Sequence, residues 1–133
     1  MVEKPVPQLL AMLICDTIIH DSKTRKKTVV GIFDTITCKK IPFTHHSLSI
    51  YIVLTEGIGE YEGELKLICE DDETALCELK GPLAFTERLQ RVELEFKLDG
   101  LVFPHFGKYR FDFLCDGRLV KSRKFYIKEF KKK

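Results

Sequence analysis

Between Phe103 and Ile127 apolar and polar side chains alternate with a period of two, and a tight-turn dipeptide interrupts the alternation once. Tyr109, Phe111 and Phe113 interleave with Lys108, Arg110 and Asp112, so an extended chain here has one face to bury and one to leave in water. Asp116-Gly117 supplies the left-handed positions of a two-residue turn, and Leu119 to Ile127 returns as the partner strand. The segment commits the chain to a closing β-hairpin.

The same period runs through Arg91 to Leu98, where Val92, Leu94, Phe96 and Leu98 face inward and Arg91, Glu93, Glu95 and Lys97 outward. No helix face has that pattern. Leu9 to His20 reads as a first strand, Asp21 to Lys27 as a basic turn, and Thr28 to Thr37 as one returning strand. Gly31 within it marks a bulge or a close backbone approach. Pro42 precedes Phe43-Thr44-His45-His46, expected as a crossover loop, and Leu48 to Thr55 is apolar enough to lie centrally. After Gly57, Gly59 and Gly63, a strand is expected at Glu64 to Glu70, an acidic turn at Asp71 to Thr74, and a strand at Ala75 to Lys80 that Gly81-Pro82 ends. Only Pro82 to Leu89 could hold a helical turn. Asp99-Gly100 is expected to turn the chain before a short extended piece, Leu101 to Phe103. The count comes to roughly seven or eight strands with turns at short intervals, which is the pattern of an all-β antiparallel sandwich or barrel. Its 133 residues suit one domain, 1–133, with 1–8 a loose lead-in and 129–133 a basic tail.

Net charge points to no partner: 22 basic and 20 acidic residues leave +2, too small a bias to imply nucleic acid or an anionic membrane on its own, so any electrostatic reading must come from local patches. Five cysteines, Cys15, Cys38, Cys69, Cys77 and Cys115, are an odd number at irregular spacings, which argues for reduced thiols in a cytoplasmic protein rather than a disulfide framework. Cys15, Cys69 and Cys115 sit in apolar strand contexts as small buried hydrophobes. The apolar run Leu9 to Cys15 is too short to span a bilayer. Ile14 stands where a signal peptide needs a small residue, so neither export nor a membrane role is expected.

For metal or acid–base chemistry the candidates are His45, His46 and Cys38. Adjacent histidines on a strand point to opposite faces, so the pair converges only in a loop. No CxxC or suitably spaced histidine pair accompanies them, and solvated loop histidines are the expectation. Cys38, beside Lys39 and Lys40, is the one cysteine in a basic setting. Nucleophile elbow, phosphate loop and dinucleotide fingerprint are all missing, so neither catalysis nor a cofactor is expected. The carboxylates at Asp71-Asp72-Glu73 and at Glu60, Glu62 and Glu64 lack calcium-loop spacing and read as solvated turns. The run from Lys121 to Lys133 interleaves basic and aromatic residues as single-strand nucleic-acid surfaces do. If Phe125 and Ile127 face the core, however, Lys124, Tyr126 and Lys128 become a wet edge that resists edge-to-edge pairing. Nucleic-acid binding is therefore the alternative rather than the first reading.

Gly107-Lys-Tyr109-Arg-Phe111 resembles the start of strand F in immunoglobulin-type domains. The resemblance implies a tyrosine corner, with the Tyr109 ring in the core and its hydroxyl bonded to upstream backbone. His105 stands where those domains favour Asp, and the chain has no Trp. Over about residues 9–128 the chain is similar to a group of small uncharacterised bacterial proteins with an immunoglobulin-like sandwich. The matching pieces are Cys15-Asp16, Gly31-Ile-Phe-Asp34, Phe103-Pro-x-x-Gly-x-Tyr-x-Phe111 and Asp116-Gly117. This implies the fold and an unassigned function. The expectation is a binding or structural module, with a protein or a second copy as partner, acting through an edge strand or the loops at 39–46, 57–63 and 103–106. Gly31, Gly107, Tyr109, Asp116 and Gly117 are read as structural. Phe103, Pro104 and Phe106 would either plug one end of the fold or form a contact patch, and plugging is expected.

Overall fold

A computed structural model describes residues 4–131. They form nine strands and no helix: β1 (Gln8–His20), β2 (Lys27–Ile32), β3 (Thr35–Cys38), β4 (Phe43–Thr55), β5 (Gly59–Cys69), β6 (Thr74–Phe85), β7 (Val92–Phe103), β8 (Gly107–Cys115) and β9 (Arg118–Glu129). One sheet has the order β2-β1-β4-β7 and the other β3-β9-β8-β5-β6. Every pairing is antiparallel except β3 with β9.

Alternation builds the core. On β4, Leu48, Ile50, Ile52 and Leu54 are fully buried, facing Leu65 and Leu67 of β5 and Phe111 and Phe113 of β8. Each large side chain so removed from water contributes about 1.5–3 kcal/mol. At one end the rings of Phe103, Tyr109, Phe111 and Phe125 pack together. Phe111 stacks on Phe125 at 5.1 Å, and Phe103 meets Tyr109 edge-on at 5.1 Å. Phe103 therefore plugs the interior, while Pro104 and Phe106 are half-buried beside it. Asp116 (φ 49) and Gly117 (φ 79) form the two-residue turn between the paired Cys115 and Arg118.

Several boundaries differ from the sequence expectations. Thr28 to Thr37 is two strands: β2 lies in the first sheet, the chain crosses at Phe33-Asp34, and β3 joins the second sheet. Phe43 to His46 is strand, because its backbone pairs with the far end of β7. Asp99-Gly100 does not turn the chain, and β7 runs through it in constant register with β4. Gly59 to Gly63 belongs to β5, and Gly81-Pro82 does not end β6. Pro82 lies opposite Glu62, whose N–H and C=O both bond Asp116 on the other side, so the missing proline N–H costs the ladder nothing. Pro82 to Phe85 is consequently strand rather than a helical turn.

β9 carries Phe125 and Ile127 into the core, but it is not wholly an edge, since Tyr126 to Glu129 pair with β3. The lead-in is tied down where it is described: Lys4 pairs with Asp116 at 3.2 Å, and Pro5 accepts from the Tyr61 hydroxyl at 2.8 Å. Lys132 and Lys133 of the basic tail, and residues 1–3, lie outside the described residues. β1 pairs with β4 only as far as Cys15↔Ser49, then continues with β2 alone to His20↔Lys27. This arm bends back over the first sheet, where His20 meets Glu95 at 2.8 Å and Lys27 meets Glu93 at 2.7 Å.

Candidate functional site

The most distinctive polar site begins with a change of phase along β4. From Leu48 to Leu54 the even-numbered residues face the core, yet at the start of the strand Phe43 and His45 are half-buried while Thr44 and His46 are exposed. β7 changes phase at the same level: Phe96 and Leu98 are buried, then Phe103, with Gly100 (φ +65) in between. His45 is thereby turned inward and His46 outward. The two histidines do not converge, and the crossover loop that could have joined them does not exist.

His45 lies between aromatic rings, 6.2 Å from Phe33 and 6.0 Å from Phe43. Its Nε2 is buried without a hydrogen-bond partner. Burial pushes its pKa down, against a smaller opposing pull from the Ser47 backbone and Asp16, so the ring is neutral at physiological pH.

The ring forms part of a cavity of about 280 Å³ lined by Asp16, Gly31, Ile32, Phe33, Thr35, Ile36 and His45. Asp16 stands at the root of the β1–β2 arm, Gly31 and Ile32 close β2, Phe33 belongs to the crossing between sheets, and Thr35 and Ile36 are on β3. Gly31 is needed where it is. Its φ is +71, and a Cβ there would fall 2.2 Å from the Asp16 Oδ2. From the motif pieces Cys15-Asp16 and Gly31 to Asp34, read from sequence as turn and core, Asp16, Gly31, Ile32 and Phe33 thus meet beside His45. The signal for this was the pairing of a carboxylate with a glycine on the neighbouring strand, which sequence spacing alone does not reveal.

Cys38 is not in this cavity. It is buried on β3, and burial, with Glu129 adding to it, raises its thiol pKa despite the neighbouring lysines. All five cysteines are free, and burial raises every one of their pKa values, Cys115 to about 11. Among the described residues no three His, Cys, Asp or Glu side chains gather to hold a metal ion. The acidic turn is used internally: Asp72 accepts from the Thr74 backbone and hydroxyl, Glu73 pairs with Arg110 at 3.0 Å, and the Asp71 carboxylate packs over Gly107. Tyr109 is fully buried, and its hydroxyl donates to the His105 carbonyl at 2.7 Å. A second, wider groove of about 600 Å³ runs over Tyr61, Glu62 and Pro82 to Asp116, beside Lys4, whose ammonium lies 4.5 Å from the Tyr61 ring centre.

No helix among the described residues is long and apolar enough to cross a membrane. Among solved structures, the chain is similar in fold to Pseudomonas fluorescens alkylpurine DNA glycosylase AlkC bound to DNA containing an abasic site analog. The TM-score is 0.58 at 7% sequence identity, over 92% of this chain and 30% of that one. This chain thus matches under a third of the glycosylase, and the likeness is one of fold alone. No match is found among curated proteins. The model of a family of unknown function, DUF6941, matches residues 10–128, and the chain belongs to that family.

Proposed function

We propose that the protein is a non-enzymatic binding module, an immunoglobulin-like sandwich that takes up an extended segment of a partner protein along β6. The tyrosine corner at Tyr109 supports the immunoglobulin-like assignment. The binding reading rests on the open edge of β6, which among the described residues pairs only with β5. Because Glu62 directs both backbone groups to Asp116, Pro82 opposite it faces the open side, and Lys80 and Glu78 share its parity. Their N–H and C=O groups form a free ladder on which a partner strand can register.

The other borders are guarded. β3 is four residues long, β2 belongs to the latched arm, and β7 presents Glu93, Glu95, Lys97 and Asp99. β9 meets β3 only from Tyr126 to Glu129, and the stretch before it, paired with β8 on its other side, carries Lys121, Arg123 and Lys124. β6 from Thr74 to Lys80 has one acid and one base. Peptides selected for binding from a displayed library should protect the Glu78 and Lys80 amides from hydrogen exchange. Glu78→Pro, which removes an outward donor without touching β5, should abolish binding at unchanged thermal stability. Unprotected amides, or full binding by the folded proline variant, would rule out strand addition at β6.

A further inference from the structure

The open edge of β6 is complementary to itself. Its outward backbone groups belong to Glu78, Lys80 and Pro82, because β5 takes those of the residues between them. An antiparallel strand laid on such an edge is held by opposed pairs in which both residues turn their N–H and C=O toward each other. A second copy of β6 must therefore set even-numbered residues of this stretch opposite even-numbered ones. Among those registers, one places Glu78 opposite Glu78 and another Lys80 opposite Lys80, and like charges directly opposite are destabilising. Between the two lies the register centred on Leu79, in which Glu78 of each copy meets Lys80 of the other. A parallel copy shifted to match one of these pairs leaves the other unmatched.

Both faces of the strand suit the same register. On the side toward the core, Leu79 meets its own counterpart on the two-fold axis, and Cys77 lies opposite Gly81, which has no side chain to collide with it. Leu79 and Cys77 are half-buried at the border of the core, so a second copy covers the apolar surface they leave open. On the outer side Glu78 is exposed, and Lys80 reaches only Glu62 at 3.5 Å and Glu64 at 3.8 Å. Lys80 and Glu62 are 60% and 62% exposed, and a contact so open to solvent leaves the ammonium able to turn to a second carboxylate. Pro82, with no N–H to offer, weakens the ladder opposite Leu76 at both ends.

We propose that two copies of the protein join through β6, antiparallel about a two-fold axis at Leu79, so that their second sheets run on as one. This self-pairing rests on strand addition at β6 and supplies the strand that is added; the two-fold axis closes the assembly at a dimer. The test is sedimentation equilibrium of the full chain in a series up to about 1 mM, with amide hydrogen exchange as a second readout. The parent should dimerise, and protection of the Glu78 and Lys80 amides should rise with concentration. Glu78→Lys alone and Lys80→Glu alone, both at exposed positions, each set like charges opposite at both pairs and should weaken dimerisation at least about tenfold. An equimolar mixture of the two variants restores opposite charges at both pairs and should dimerise as the parent does. A chain that stays monomeric throughout the series, single variants that dimerise like the parent, or a mixture no tighter than its components would each overturn the proposal. Library peptides that protect Glu78 and Lys80 in a strictly monomeric chain would uphold strand addition at β6 and overturn self-pairing alone.

Discussion

Replacing Tyr109 by Phe isolates the one polar contribution inside the aromatic cluster. The ring is fully buried, edge-on to Phe103 at 5.1 Å and stacked near Phe125 at 5.7 Å, and Phe preserves all of this. What is lost is the bond from the hydroxyl to the His105 carbonyl at 2.7 Å and the longer one it accepts from the His105 N–H at 3.3 Å. A net hydrogen bond is worth about 0.5–1.5 kcal/mol, and the second is weak by its length, so Tyr109→Phe should cost about 1–2 kcal/mol. For a chain of this size that is about 5 °C in Tm. Urea unfolding should show a lower midpoint at unchanged m-value. Tyr109→Ala, which also empties the ring site, should cost about 3–5 kcal/mol. A Phe variant within about 0.3 kcal/mol of the parent would mean the corner bonds carry no net weight. One as damaged as the Ala variant would mean the hydroxyl organises the packing itself. Either result refutes the division made here between ring and hydroxyl.

The same residue sets an alkaline limit. Burial holds the Tyr109 pKa up at about 12, so the unfolded chain releases that proton first, from its ordinary value near 10; the stabilisation is complete below pH 10, is lost as pH rises towards 12, and is absent from the Phe variant when urea midpoints are compared across that window. Native-state alkylation followed by mass spectrometry should label Cys77, the only half-exposed cysteine, well before Cys15, Cys38, Cys69 and Cys115, and denaturant should release all five. Phe125→Ala, beneath the stacked Phe111 ring, should lower stability by about 3–5 kcal/mol in the same urea assay. Gly117→Ala has open space for its methyl but keeps a φ of +79, so its cost should be about 1–2 kcal/mol and purely conformational.

The closing hairpin was legible from sequence because everything that specifies it is local: alternating rings, one turn dipeptide, and partners a few residues apart. Boundaries set by distant partners were not. Phe43 to His46 looks like a loop after Pro42, and becomes strand only because Leu101 and Phe103 pair with it. Gly81-Pro82 reads as a stop, and is tolerated because β5 has turned its hydrogen bonds the other way at Glu62. The inward turn of His45 depends on β7 changing phase opposite it, which no window around residue 45 contains. Asp16, Gly31 and Phe33 could be seen as conspicuous pieces, but their meeting point is created by the crossing at Phe33-Asp34.

That crossing also dictates an order of assembly. β3 completes its pairing only with Tyr126 to Glu129, about ninety residues further along the chain. Until β9 is present, β3 has no strand to pair with, and the crossing keeps the bond from the Phe33 N–H to the Ile14 carbonyl but lacks the one that the Asp34 carbonyl accepts from the Tyr126 N–H. Contacts this remote form late and slowly, because the chain must close a long loop before they return any energy. A chain halted before β9 would lack Phe125 and Ile127 and leave the rings of Phe103, Tyr109 and Phe111 uncovered where Phe125 packs on them, so the closing of that end of the core waits for the last strand.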